Sequence, residues 1–168
     1  MAGPGVRHPL RWGLALAALV VVLDQVTKYA VFAGLRPPLG GLEVTSFFNI
    51  VTTWNRGVSF GLFASGSAWT PILLTGLALV VAAALAWWLR RAENRVVVVA
   101  LGLIIGGALG NAIDRALYGA VMDFLDFHWA GWHWPAFNVA DSGITVGAAL
   151  LVWDALFGGA QSPRTPGR

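Results

Sequence analysis

The chain has no cysteine. Disulfides, thiol nucleophiles and cysteine-ligated metals are excluded with it. Histidine is nearly as scarce. His8, His128 and His133 are the only three in 168 residues, and His8 stands in a Gly/Pro-rich stretch. Neither a histidine-built metal site nor any other cofactor is expected. Charge is the third shortage: Asp, Glu, Lys and Arg make up 11% of the chain and hydrophobic residues 57%. Soluble domains carry roughly a quarter charged residues, so the composition excludes an ordinary soluble fold and points to a membrane protein.

Crossing the hydrocarbon layer takes about 20 mostly apolar residues in a helix. Four segments qualify, near 12–32, 69–89, 96–117 and 139–157. Asp24 and Lys28 interrupt the first, and no small-x-small cleavage site follows it, so it reads as a retained anchor and not a cleaved signal. Residues 12–158 are expected to form a single integral membrane domain, with tails at 1–11 and 159–168 too rich in Gly and Pro to fold.

Orientation follows from the basic residues, which accumulate on the cytoplasmic side. Arg7 and Arg11 precede the first span, Arg90, Arg91 and Arg95 lie between the second and third, and Arg164 and Arg168 follow the fourth. These seven of the eleven Lys and Arg residues share one side in a four-span chain. The net charge of +3 is therefore a topology signal, and no nucleic-acid partner is expected. Trp12, Trp87 and Trp88 fall at the cytoplasmic ends of spans, and Trp69, Trp129, Trp132 and Trp134 at or beyond the outer ends. Indole favours the interface because its ring is apolar and its N–H needs a partner.

Two regions face outward. Residues 34–68 are rich in Val, Thr, Phe and Ile and broken by Gly57 and Gly61, which favours a small sheet. Residues 118–138 are dense in aromatics up to Pro135 and are expected to lie along the membrane surface. The fold class is thus an all-α membrane bundle of four transmembrane helices, with a small extracytoplasmic β-sheet and an interfacial aromatic segment.

Polar residues inside spans are costly and need a partner or a task. Asp24 and Lys28, four apart, share one helix face, either as a mutually neutralising pair or with Lys28 orienting Asp24 or a substrate. Asn111, Asp114 and Arg115 share another face. Arg115 can fork onto a carboxylate. The group is either scaffolding for a site or a polar clamp between helices. In the "NRG" of 55–57, Asn55 can hydrogen-bond a peptide and Arg56 can reach a carboxylate or a lipid phosphate, although Asn and Gly mark turns in any case.

Asp123 and Asp141 differ from these. Both stand at the outer boundary, and neither has a basic neighbour within one helical turn in sequence. Asp126, three residues beyond Asp123, has a local use in capping or solvating the aromatic segment. Two carboxyls brought within hydrogen-bonding distance cannot both ionise cheaply, so one keeps its proton. Such a pair supplies a base and an acid near neutral pH. The base activates water against a peptide carbonyl, and the acid protonates the developing oxyanion. The competing class is a small proton-coupled carrier with intramembrane Asp, Lys and Arg as a relay. It fits less well, because no internal repeat is present and the polar groups concentrate towards the outer face.

The motifs "DQVTK" at 24–28, "NRGVSFG" at 55–61, "GGALGNAIDR" at 106–115, "VMDF" at 121–124 and "FNVADSG" at 137–143 occur in that order. Together they resemble the lipoprotein signal peptidase (signal peptidase II) family over nearly the whole chain outside its tails. The resemblance implies an aspartic endopeptidase of the bacterial plasma membrane. Its substrates are diacylglyceryl-modified prolipoproteins, cut immediately before the lipidated cysteine. It makes Asp123 and Asp141 the catalytic pair. Asp24, Lys28, Asn55, Arg56, Asn111, Arg115, Asn138 and Ala140 fall on positions that shape or support the site, with Asp114 beside them, and Gly57 and Gly61 on loop glycines. It also implies inhibition by the cyclic peptide globomycin. Membrane lipid is the surrounding partner, and a monomer is the simpler expectation.

The arginine pattern places both termini and the 90–95 connection in the cytoplasm. A single cysteine introduced by Glu93→Cys should resist an impermeant thiol reagent applied to intact cells and react once the cells are opened. Labelling from outside would reverse the topology.

Overall fold

The computed structural model describes residues 6–35, 41–57 and 69–158. Gly61, the tail residues 1–5 and 159–168, and most of the connection before the second span lie outside the described residues. In chain order the elements are α1 (Pro9–Gly34), β1 (Gly41–Thr45), β2 (Phe48–Asn55), α2 (Trp69–Leu89), α3 (Arg95–Tyr118), β3 (Val121–Trp129), β4 (Trp132–His133) and α4 (Val139–Trp153). A π-helical turn, Asp154–Gly158, prolongs α4. All four helices are long and apolar enough to span a membrane.

Local chemistry sets the helix ends. Proline in the first turn of α1 gives up an N–H that no intrahelical acceptor would have reached. Asn94 caps α3, its side-chain oxygen accepting from the Val96 N–H at 2.9 Å. Gly119 ends α3 at φ 70°, a left-handed conformation that glycine adopts without a Cβ clash. The chain can then turn directly from α3 into β3.

α3 is the central helix. Buried residues make up 61% of its most apolar window, against 11–22% in the other three helices, whose remaining apolar surface faces outward. Leu101 and Ile105 of α3 pack with Ala17, Ala82 and Leu89 in the main apolar cluster. Close approach is possible because glycines line α3 and α4. A Cβ on Gly106 would lie 2.7 Å from the Ala17 carbonyl oxygen of α1, and one on Gly147 2.6 Å from the Ala100 oxygen of α3. Small residues at such crossings let the backbones touch and gain dispersion contacts.

The sheet is antiparallel, in the order β1-β2-β3-β4. The expected strands of the 34–68 region are present, and the sheet also takes in the aromatic segment, which contributes β3 and β4. Ala130 and Gly131 both have positive φ, at 50° and 83°. They form the two-residue turn between the paired Trp129 and Trp132. A turn with both central residues left-handed matches the twist of a hairpin. The aromatic segment expected along the membrane surface is itself a hairpin, because β-branched and aromatic residues on either side of a tight turn favour strands.

Gly106→Leu should force α1 and α3 apart. The expected cost is about 1–3 kcal/mol, read as a lower thermal unfolding temperature in detergent. An unchanged midpoint would show that the crossing has slack.

Candidate active site

The site assembles where α1, α3 and the start of α4 meet β2 and β3. Its foundation is a buried ion trio. The Lys28 Nζ lies 2.7 Å from Asp24 Oδ2 and 2.8 Å from Asp114 Oδ2. It also donates to Asn111 Oδ1 at 3.3 Å. Gln25 closes the group, its amide donating to Asp114 Oδ1 at 2.8 Å and Asp24 Oδ2 at 3.2 Å. One cation between two carboxylates, with amides on the remaining lone pairs, is the arrangement that makes buried charge tolerable.

Each of these carboxylates also grips a second element. Asp24 Oδ1 accepts the Ala140 N–H of α4 at 2.9 Å. Asp114 Oδ2 accepts the Met122 N–H of β3 at 3.1 Å. Ala140 immediately precedes Asp141, and Met122 immediately precedes Asp123. The ion trio therefore holds the backbone one residue before each of the two aspartates.

Asn138 joins the pair itself. Its side-chain amide donates to Asp123 Oδ1 at 2.7 Å. Its oxygen accepts the Asp141 N–H at 2.9 Å, while its own backbone N–H donates to Asp141 Oδ2 at 3.3 Å. This reciprocal capping box starts α4 and at the same time orients the Asp141 carboxylate. Asn111 donates to Asp141 Oδ1 at 2.7 Å, and Asn55 to Asp123 Oδ2 at 3.2 Å. Each carboxylate thus receives one amide on either oxygen. Burial pushes the Asp123 carboxyl up to about 7, and the nearby negative charge of Asp141 adds to the rise. Asn55, Asn138 and Lys28 oppose it by favouring the ionised form.

A cavity of about 390 Å³ is lined by Asp141, with the Asp123 partner Asn55 also on its wall. Leu74, Leu77 and Val81 of α2 and Ile144 of α4 give it apolar walls, and Asn55, Asn111, Arg115 and Asp141 line it with polar groups. An elongated apolar ligand with one polar segment would suit this lining.

The structure brings Asp24, Lys28, Asn55, Asn111, Asp114, Asn138, Ala140, Asp123 and Asp141 into one network. Asp114 reaches Lys28 of α1, a polar contact between helices that also scaffolds the site, because the lysine sits between two carboxylates and gains from both. Arg115 donates to the Gly57 carbonyl oxygen at 3.2 Å, and its Nε is buried without a partner among the described residues. Gly57 is in turn fixed by its N–H donating to Asn55 Oδ1 at 3.0 Å, an Asx-type turn. Arg56 is exposed and takes no part in the network among the described residues. Gln25 and the backbone of Met122 were not singled out in the sequence. Gln25 stands inside the "DQVTK" motif beside Asp24, whereas nothing in the sequence announces a backbone donor.

Asp126 is not part of the pair. It is buried, and accepts from Asn49 at 2.9 Å and contacts His133 Nδ1 at 2.9 Å. Burial alone would raise its pKa, but the bonds from His133 and Asn49 prevail and hold it below the usual carboxylate range.

The sequence profile of the family described as Signal peptidase (SPase) II matches residues 16–157. The chain belongs to the signal peptidase II family. It is 47% identical to the lipoprotein signal peptidase of Methylobacterium sp. (strain 4-46) over 92% of this chain and 94% of that protein. It is 49% identical to the lipoprotein signal peptidase of Paraburkholderia phytofirmans over 85% of this chain and 83% of that protein. Among solved structures, a bacterial membrane enzyme determined by the in meso method at 2.3 Å superposes with a TM-score of 0.81, at 29% identity and full coverage of both chains. A second, determined at 1.9 Å, gives a TM-score of 0.73 at 34% identity over 88% of this chain and 94% of that one. Family membership makes the protein a peptidase of the bacterial membrane, with the four apolar helices as its spans.

Lys28→Met keeps the stem and removes the charge, leaving Asp24 and Asp114 buried together. The expected loss is about 3–5 kcal/mol, measured as thermal unfolding in detergent. Wild-type stability would mean that the trio does not hold the site.

Proposed function

We propose that this signal peptidase II family member is an aspartic endopeptidase that removes the signal peptide from diacylglyceryl-modified prolipoproteins, cutting before the lipidated cysteine. One observation carries the reading: Asp123 on β3 and Asp141 on α4 are both held by Asn138, and Asp141 lines a cavity with apolar walls. The signal helix and acyl chains of such a substrate occupy the bilayer, and the cavity opens among the spans. Asp24, Lys28, Asn111, Asp114, Asn138 and Ala140 support the pair, and Asn55 with Gly57 positions the β2 end. The unpartnered Nε of Arg115 is ready for a substrate carbonyl. The site faces the extracytoplasmic side, both termini are cytoplasmic, and the enzyme acts as a monomer. Globomycin would compete by placing a hydroxyl between the carboxylates.

In the reaction the ionised member of the pair takes a proton from water, and the water oxygen attacks the scissile carbonyl carbon. The protonated member donates to the carbonyl oxygen, giving a neutral tetrahedral diol. Collapse of the diol breaks the C–N bond: a carboxylate of the pair takes the proton from one diol hydroxyl as the carbonyl re-forms, and the leaving amine takes the pair's other proton, so that one proton remains on the pair as at the start. Asp123, shifted to about 7, retains a proton below that pH, which suits the acid role. Because the two titrate together, measured values belong to the pair.

Asp123→Asn and Asp141→Asn should each abolish cleavage of a lipid-modified precursor in a gel-shift assay, whereas Asp126→Asn should keep most of it while lowering thermal stability. An active Asp141→Asn enzyme would sink the aspartic mechanism. The rate should fall as pH rises through about 7, where the shared proton is lost. Asn55→Ala removes a donor that favours the ionised form, so its alkaline limb should move to higher pH. A limb that stays fixed or moves down would contradict the assignment of Asp123.

A further inference from the structure

The hairpin of β3 and β4 carries an exposed aromatic surface that the cleavage chemistry does not use. Side chains alternate along a strand. Phe127 and Trp129 therefore share the face of β3 that presents Asp123, while Asp126 and His128 point to the other. Trp132 pairs with Trp129, and the Trp134 N–H donates to the Phe127 carbonyl oxygen at 2.8 Å, which puts both on the Asp123 face. Trp129, Trp132 and Trp134 are 76%, 63% and 50% exposed, far more than a folded interior tolerates for such rings. With Phe47, Phe127 and His128 they border a cavity of about 540 Å³. The other face holds the polar groups: Asn49, Asp126 and His133 bond one another there. The hairpin is amphipathic across the plane of the sheet.

The apolar face is continuous with the outer girdle of the bundle. Phe32 at the end of α1 meets Trp54 of β2, with ring centroids 6.4 Å apart, and Trp54 meets Tyr118 at the end of α3 at 5.5 Å. All three are exposed. They lie where the spanning helices leave the hydrocarbon, the level at which Trp and Tyr concentrate. From Asp123 the same strand face reaches Phe127 after four residues and Trp129 after six, about 13–20 Å at strand rise.

We infer that the aromatic face of the β3–β4 hairpin is a lipid-binding surface, seated among the glycerol and upper acyl region of the outer leaflet, and that it fixes the depth of Asp123 relative to the headgroups. The occupant is bilayer phospholipid. Among the described residues the lining is five aromatic rings and His128, with no Lys, Arg, Asp or Glu, which suits ester and hydrocarbon groups. β3 joins this anchor to the aspartate without an intervening loop. A strand seated at one depth carries Asp123 at a fixed depth too, where the substrate's scissile bond leaves its own spanning helix. The consequence for cleavage rests on the proposed aspartic mechanism. The lipid contact does not.

The absence of cysteine makes the test direct. Trp129→Cys and Trp132→Cys, each carrying a nitroxide, are placed in nanodiscs of phosphatidylethanolamine and phosphatidylglycerol. Relaxation by oxygen should dominate over relaxation by a water-soluble nickel chelate, and a label at Asn49→Cys on the opposite face should show the reverse. Strong chelate access at 129 and 132 would overturn the proposal, as would spin–spin broadening between copies, which would mark a dimer surface. The double variant Trp129→Ser/Trp132→Ser is then compared with the parent. Cleavage should fall about tenfold in nanodiscs, as expected for a misplaced reacting group, with little loss towards a short lipopeptide in detergent. Equal loss in both settings would assign the surface to the substrate's mature chain and overturn the lipid reading. If the labels lie in lipid but Asp123→Asn remains active, the aspartic mechanism fails while the anchor stands.

Discussion

Everything at the site depends on one lysine held between two carboxylates. Lys28 neutralises Asp24 and Asp114 closely enough that both can stay buried, and each carboxylate also accepts a backbone N–H, Asp24 on its second oxygen and Asp114 on the oxygen that Lys28 already contacts. The two N–H groups they accept, of Met122 and Ala140, belong to different elements. Together with the backbone bonds between β3 and Phe137, just before α4, these contacts fix the strand against the start of the helix. The geometry of Asp123 and Asp141 is inherited from charges that never touch the cavity. Isolated buried ions are expensive, and a fully bonded network of them is specific because any displacement leaves a charge stranded. The fold accepts that expense where two reactive groups must be held in place.

Asn138 shows the same economy on a smaller scale. As a helix cap it satisfies the open donors at the start of α4. The capping box that does this also uses Asp141 as its reciprocal acceptor, so the start of the helix and the orientation of the carboxylate are one structure. The remaining amide of Asn138 reaches across to Asp123. Asparagine supplies a donor to one carboxylate and an acceptor to the backbone of the other. Aspartate at this position would set a third negative charge between the two.

Much of this was legible in the sequence. Span lengths, the four-helix bundle and the sheet character of 41–55 follow from apolar runs and β-branched composition. The polar residues within those runs had to meet somewhere, and their i, i+3 and i+4 spacing showed which faces they shared. Spacing alone could not choose between partners on different helices. Asp114 on α3 needed a cation, and Lys28 one helix away supplies it while also meeting Asp24, a choice that i, i+4 spacing within either helix does not reveal. The hairpin was hidden for another reason. Aromatic density signals an interface whether the backbone is strand or irregular, and only the turn at Ala130–Gly131, with both residues left-handed, separates the two.

A peptidase working at a bilayer also faces a constraint that comes from its substrate. A peptide bond inside a helix already has its N–H and C=O engaged, and a water attacking its carbonyl would meet a shielded carbon. The bond must leave the helix first, and the freed polar groups then need partners in a region poor in water. The polar lining of the 390 Å³ cavity is concentrated in Asn55, Asn111 and Arg115 beside Asp141, with apolar walls from α2 and α4 around it. Such a lining accepts an unwound segment at one level and hydrocarbon around it. The proposed chemistry at Asp123 and Asp141 is confined to that level for the same reason that the amides are. Where α3 passes into β3 and α4 begins, the cavity offers polar side chains, among them the Arg115 Nε without a partner among the described residues, to a chain that has just lost its own.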